Sequence, residues 1–273
     1  MGPLHLVKIQ GAGNDFLFID LRTTSLQNFT TLSRTELVRR IADREFGIGA
    51  DGVVFVENGG SEVTFSWDFY NKDGSTAEMC GNAARCMGRW GQLFAGKSQF
   101  NFRTIAGDVE VRGVDDFAIE ASLPFVKIEM KNLNYTVGGE TRKALFVNTG
   151  VPHLVVEVAK LEQAYKMLDH VQALRFHPEV GLRGSNVTFV ERVSEKKFKT
   201  VTFERGVEGF TLACGTGVLA AAAEGIQGET DITVEVEAPG GTLQVIFPKK
   251  GGAVLTGPAK LVFEAKVNEE LLK

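Results

Sequence analysis

The sequence predicts an α+β fold of two similar domains from an internal duplication, each with strands wrapped around a central helix. Three observations carry this prediction. First, Cys80-Gly81-Asn82-Ala83 answers Cys214-Gly215-Thr216-Gly217 at an offset of 134 residues. The same offset carries Gly52–Glu57 onto Asn186–Glu191, Asp68–Asn71 onto Thr202–Arg205, and the turn at Gly107 onto the turn at Gly241. Several ungapped anchors at one spacing mark a repeat. Second, small residues and then alanine-rich stretches follow both cysteines, as they do where helices start. Third, alternating segments behind each helix read as hairpins, Gln99–Arg103 with Asp108–Arg112 and Thr233–Glu237 with Thr242–Phe247.

The remaining elements follow in chain order. Leu4–Gln10 reads as a strand, and the turn Gly13–Phe16 is answered, after a drift of a few residues, by Gly150–His153. Arg34–Glu45 has the spacing of an amphipathic helix. Gly47–Gly52 matches G-x-G-x-x-G, but a helix precedes it and a strand follows. That order reverses the dinucleotide fingerprint, so the segment reads as a tight turn. The domain boundary is expected near Leu123-Pro124-Phe125. Residues 1–123 would form the first domain, joined by the C-terminal segment 264–273, and residues 124–263 the second. A further amphipathic helix is expected over Leu161–Val171. A duplication also sets equivalent elements face to face about a pseudo-twofold axis, which would aim both cysteine-led helices at a cleft between the domains.

Composition narrows the function classes. With 30 Lys and Arg against 34 Asp and Glu, and both signs interspersed, the chain offers no general basis for holding nucleic acid. Lys196-Lys197 and Lys249-Lys250 read as solvated edges or turns. No apolar run approaches the ~20 residues of a membrane span, and no charged-then-apolar leader opens the sequence. The 3 cysteines cannot all pair with one another, so a reducing cytoplasm is the simplest compartment. The 4 histidines show no metal-ligand spacing with Cys or Glu.

Two cysteines at two helix N-termini point to proton transfer. A thiol titrates near about 8.5, and a helix N-terminus favours its thiolate. The amides of the first turn also suit a carboxylate. A thiolate on one face of a bound carbon and a thiol on the other would invert that carbon, with the enolate-like charge held by the helix ends. Such a scheme needs no pyridoxal phosphate, metal or other cofactor. A cysteine is more commonly a small buried hydrophobe, and that reading is taken for Cys86, which has no counterpart in the second half. A redox disulfide is the other option, but neither Cys80 nor Cys214 sits in Cys-x-x-Cys.

At these motifs the sequence resembles the diaminopimelate epimerase family. The resemblance rests on Gly11–Phe16, Gly47–Gly52, Asn71–Ser75, Met79–Cys86, Pro152-His153, Glu204–Val207 and Ala213–Gly217, in family order. It implies that fold, and epimerisation of L,L-diaminopimelate to the meso form on the way to lysine and peptidoglycan precursors. It implies Cys80 and Cys214 as the acid/base pair, and Asn14, Asn71 and Asn186 as substrate-binding residues. Glu204 would meet the amino group and Arg205 the distal carboxylate. Gly81, Asn82, Gly215 and Thr216 would cradle the reacting carboxylate, while His153 would help set cysteine protonation. A homodimer is also implied. Val151 and Phe210 stand where many members carry Asn and Glu, and Glu208 is an added residue in that loop, which bears on substrate contacts. Two other readings stay open at this point. One is a racemase or epimerase of another amino acid such as proline or hydroxyproline, against which Arg205 and the asparagines argue for a second charged end. The other is a non-catalytic amino-acid-binding protein.

Overall fold

The computed structural model describes residues 3–137, 140–226 and 228–272. Strands β1 (Leu4–Gly11) and β2 (Asn14–Asp20) form a hairpin, and helix α1 (Arg34–Ile41) leads to β3 (Gly52–Asn58) and β4 (Phe65–Asn71). Helix α2 (Gly81–Phe94) follows, then β5 (Gln99–Thr104), β6 (Gly107–Gly113) and β7 (Ala118–Leu123). Next come β8 (Glu129–Val137), β9 (Glu140–Asn148) and β10 (Pro152–Glu157), with α3 (Glu162–Lys166) and α4 (Leu168–Arg175). Then come β11 (Asn186–Ser194), β12 (Lys197–Glu204), the short β13 (Gly209–Thr211) and α5 (Gly215–Ile226). The chain closes with β14 (Thr233–Ala238), β15 (Gly241–Ile246), β16 (Ala253–Pro258), β17 (Lys260–Val267) and α6 (Glu269–Leu272). It divides into two compact units, residues 1–122 with 257–273, and residues 123–256.

Both units follow one plan. In the first, β17, β1 and β2 are antiparallel neighbours, and β2 runs parallel to β3. Next, β3 is antiparallel to β4, β4 is parallel to β5, and β5, β6 and β7 form a meander. In the second, β8, β9 and β10 are antiparallel, β10 is parallel to β11, and β11 is antiparallel to β12. There β12 runs parallel to β14, which opens the meander β14, β15, β16. Parallel neighbours need a crossover connection, and in both units the later crossover is the cysteine-led helix. The strand β17 thus serves the first unit as β8 serves the second. The hairpin registers repeat residue for residue: Gln99↔Arg112 and Thr104↔Gly107 become Thr233↔Ile246 and Ala238↔Gly241.

The central helices are slim where strands wrap them. In α2 the residues Ala83, Ala84, Cys86, Met87 and Trp90 are buried, and a Cβ on Gly91 would lie 2.1 Å from the Phe100 ring. In α5 the whole run Gly217–Ala223 is buried. Small side chains let a sheet close around a helix at interior packing density.

Two expected helices differ from those observed. The helix begun at Arg34 ends at Ile41 rather than at Glu45. Asp43 Oδ1 accepts the N–H groups of Glu45 and Phe46, and Ile41 C=O accepts those of Ile48 and Gly49, so the chain reverses there. Gly49 takes φ +81° in that turn, which accounts for the glycine pattern without a nucleotide. The stretch Leu161–Val171 is not one helix but parts of α3 and α4. Met167 (φ −91°, ψ 9°) separates them, its N–H bonding Ala164 C=O three residues back. Among the described residues no helix is long and apolar enough to cross a membrane.

Candidate active site

In the first unit the sequence-predicted residues Asn14, Cys80 and Asn82 come together at the start of α2. Cys80 is the N-cap, extended at φ −146° and ψ 123°, and the first helical hydrogen bond runs from Ala84 N–H to Cys80 C=O. The amides ahead of that bond face out of the helix end. Asn14 follows the tight turn Ala12-Gly13, where both residues have positive φ (55° and 87°). Its Nδ2 donates to Asp51 Oδ2 at 2.6 Å, which fixes the orientation of the amide. The Oδ1 therefore points at α2, where it accepts from Asn82 Nδ2 at 3.1 Å and meets Cys80 Sγ at 3.8 Å. Asp51 and Asp15 share Arg44, and Lys8 also reaches Asp15 at 2.8 Å. Those two cations hold the Asp15 carboxyl down at about 2 against the opposing effect of burial. Asn71 is exposed at the end of β4, opposite Gly52 and so beside the Asp51 that holds Asn14, and its amide donates to Ser75 Oγ at 3.0 Å.

In the second unit the buried Cys214, His153 and Asn186 form one line with the half-buried Thr216. Cys214 precedes α5, and its Sγ is 3.3 Å from Thr216 Oγ1. Thr216 Oγ1 is 3.0 Å from His153 Nε2, and His153 Nδ1 is 2.8 Å from Thr188 Oγ1. Asn186 Oδ1 accepts the Arg205 N–H at 2.8 Å, which turns its Nδ2 toward His153 Nε2 at 3.3 Å. A donor facing Nε2 makes that nitrogen the acceptor, so Nδ1 carries the proton and gives it to Thr188, which in turn reaches Thr202 Oγ1 at 3.1 Å. Thr216 then aims its hydroxyl proton at the ring and offers its lone pairs to Cys214, an orientation that suits a thiol there. His153 is fully buried, and burial, followed by the Arg205 charge, pulls its pKa down to about 3, so the ring is neutral. Glu204 accepts from the Thr211 hydroxyl, and Arg205 Nη1 donates to Gly184 C=O at 3.0 Å. Gly215 and Thr216 open the helix itself.

Asp51, Thr188 and Thr202 were not singled out from the sequence. Each acts through a partner supplied by strand pairing: Thr188 sits opposite Thr202 in the β11/β12 register, a relation no single strand announces. Among the described residues no group of three His, Cys, Asp or Glu side chains is placed to hold a metal ion.

A sequence model described as "Diaminopimelate epimerase" matches residues 6–123 and again 145–262, which is most of the chain and both halves of the repeat. The chain belongs to the diaminopimelate epimerase family. Named diaminopimelate epimerases from Aquifex aeolicus and Hydrogenobaculum sp. are 38% and 36% identical to it. The alignments cover 97% of this chain in both cases, and 98% and 99% of those proteins. Among solved structures, a phenazine biosynthesis protein of the PhzF family from Bacillus anthracis superposes with a TM-score of 0.71 at 16% identity, covering 98% of this chain and 100% of that one. A hydroxyproline epimerase from Agrobacterium vitis superposes at 0.69 with 13% identity, over 97% of this chain and 92% of that one. At those identities the likeness establishes the fold, a duplicated α+β architecture.

The departures from the family pattern have structural settings. Phe210, expected from the resemblance to replace a Glu, packs edge-on against Phe203 (5.5 Å between ring centroids) and Tyr165 (4.9 Å). A carboxylate there would lose that aromatic packing. Glu208 takes φ +56°, and its carboxylate pairs with Arg175 at 2.6 Å, so the added residue closes the turn after β12. Val151 is half-buried, and its carbonyl accepts the Thr149 N–H at 3.2 Å.

Proposed function

We propose that this chain epimerises diaminopimelate, converting the L,L form to the meso form without a cofactor, with Cys80 and Cys214 as its two acid/base groups. The observation that carries this reading is that the family match falls on both halves of the chain, and each half starts its central helix at a cysteine. In the reaction one thiolate takes the α-proton. The C–H bond breaks, an S–H bond forms, and the electron pair moves into the adjoining carboxylate. A thiol on the opposite face returns a proton to the carbon, and the two sulfurs end with exchanged protonation. The first-turn amides of α2 and α5, at Gly81, Asn82, Gly215 and Thr216, suit the charge that builds on the carboxylate. The proton line at Cys214 favours the thiol there at rest, which leaves Cys80 as the thiolate in that state.

The remaining roles belong to the same proposal. Asn14, Asn71 and Asn186 bind the polar ends of substrate, and Glu204 takes an ammonium group. Arg205 reads the distal carboxylate with its planar fork. His153, kept neutral, sets the protonation of Cys214 through Thr216. The product serves lysine and peptidoglycan precursor synthesis, with a cytoplasmic setting. The test is turnover of purified protein on L,L-diaminopimelate, followed by chiral chromatography. Wild type should accumulate meso product, and Arg205→Met should lower kcat/KM by on the order of 10²-fold or more, the loss expected for an unpaired buried carboxylate. Neither protein should racemise proline. Turnover of proline in place of diaminopimelate would contradict the substrate assignment.

A further inference from the structure

Arg85 is a charged side chain in the interior with no carboxylate beside it. It lies in the first turns of α2 and is 0% exposed, and among the described residues it forms no salt bridge. Its Nη2 donates to Asn82 Oδ1 at 2.9 Å and its Nη1 to Gly81 C=O at 3.3 Å, while Nε has no hydrogen-bond partner. A buried, unpaired cation is costly and is retained only where something compensates it. Burial pulls its pKa down to about 10, and the groups that pull it back up are the sulfurs of Cys86 and Cys80.

Only one of those sulfurs can be the counter-charge. Cys86 is 0% exposed, and burial pushes its thiol far above the usual range, so it stays protonated. Cys80 is half-buried at the helix end, next to the Gly81 carbonyl that the guanidinium grips. The other charges near this end are already matched. Asp15 on β2 is held by Lys8 of β1 and by Arg44, and Asp51 ahead of β3 by Arg44 and Asn14. Against α2, β5 sets Phe100, β6 sets Val111 and β7 sets Ile119, all of them apolar. Lys260, Glu264 and Lys266 of β17 are exposed. Asn14 Oδ1 opposes ionisation, because only a thiol can donate to it, but a sulfur donor at 3.8 Å is a weak bond. The uncompensated guanidinium, buried in the first turns of α2 and bound to the adjoining Gly81 carbonyl, favours the charged sulfur and outweighs that weak bond.

We propose that Arg85 is the buried counter-charge of a Cys80 thiolate, a positioning residue that decides which of the two sulfurs rests deprotonated. This rests on the reading of Cys80 as an acid/base group, but its test reads the thiol and not turnover. Alkylation of each cysteine by iodoacetamide is followed by peptide mass spectrometry across pH in wild type, Arg85→Met and Arg85→Lys. In wild type the Cys80 midpoint should fall below the ~8.5 of a free thiol. In Arg85→Met it should rise by about one unit, which slows Cys80 labelling about tenfold at pH 7 and leaves it unchanged above pH 10. Arg85→Lys, which keeps the charge, should restore most of the shift, and the Cys214 profile should not move. An unmoved Cys80 midpoint in folded Arg85→Met would overturn the proposal. So would an Arg85→Lys midpoint as high as that of Arg85→Met. Should Arg85→Met not fold, a wild-type Cys80 midpoint at or above that of a free thiol would overturn it. A protein with these titrations but no turnover of diaminopimelate would leave Arg85 in this role and remove only the substrate assignment.

Discussion

Below pH 6.5 an unfolded chain protonates its histidines, but His153 sits where a charged ring has no solvent and faces the positive Arg205. Its folded pKa of about 3 lies below the unfolded value, so between the two the unfolded state binds the extra proton. Stability therefore rises with pH across that window and falls on acidification, by at most ~1.4 kcal/mol per pH unit from this one residue. The urea midpoint should drop between pH 6.5 and pH 4, and His153→Gln, which cannot take up the proton, should flatten the drop. Equal slopes in both proteins would mean that the ring titrates in the folded state. His153 was legible in the sequence by its place after the Gly150 turn. Its tautomer was not, because that depends on Asn186 being turned by a backbone N–H 19 residues away.

At the scale of elements, the glycines of the central helices do more than start turns. Replacing Gly with Ala in a helix interior ordinarily gains up to ~1 kcal/mol. At Gly91 the new methyl would sit 2.1 Å from Phe100, and at Gly225 it would sit 2.4 Å from Phe198. Both rings are buried, and overpacking costs about 1–3 kcal/mol, so strain should exceed the propensity gain. Gly91→Ala and Gly225→Ala should each lower the unfolding midpoint measured by circular dichroism. A rise in either would show that the ring can step aside. These positions differ by the repeat offset, and the hairpins behind them hold the same registers, so alternation and duplication make those hairpins legible in the sequence. The break at Met167 and the early end of α1 carry no periodic signal, because side-chain and backbone bonds local to the turn override an amphipathic pattern.

At the scale of the whole molecule, the last strand completes the first unit. Along β1, β17 pairs from Leu4↔Val267 to Gln10↔Lys260. Thr30 Oγ1 donates to Leu272 C=O at 2.6 Å, and Val267 and Leu272 join the core of Leu6, Leu17, Leu37 and Ile41. Removing residues 259–273 should expose β1 and open that core. Limited proteolysis of the truncated protein should then cut within residues 1–122, where the full chain resists, and an unchanged pattern would contradict the assignment. The sequence attaches residues 264–273 to the first domain, whereas the strand paired with β1 begins earlier, at Lys260, a start that so distant a pairing does not mark locally.

The most direct test of the two-cysteine account is α-proton exchange of L,L-diaminopimelate in D₂O, followed by NMR with wild type, Cys80→Ser and Cys214→Ser. The account predicts deuterium entering with inversion in wild type, and inversion lost in both variants. Inversion that persists at an appreciable rate in either single variant would contradict it.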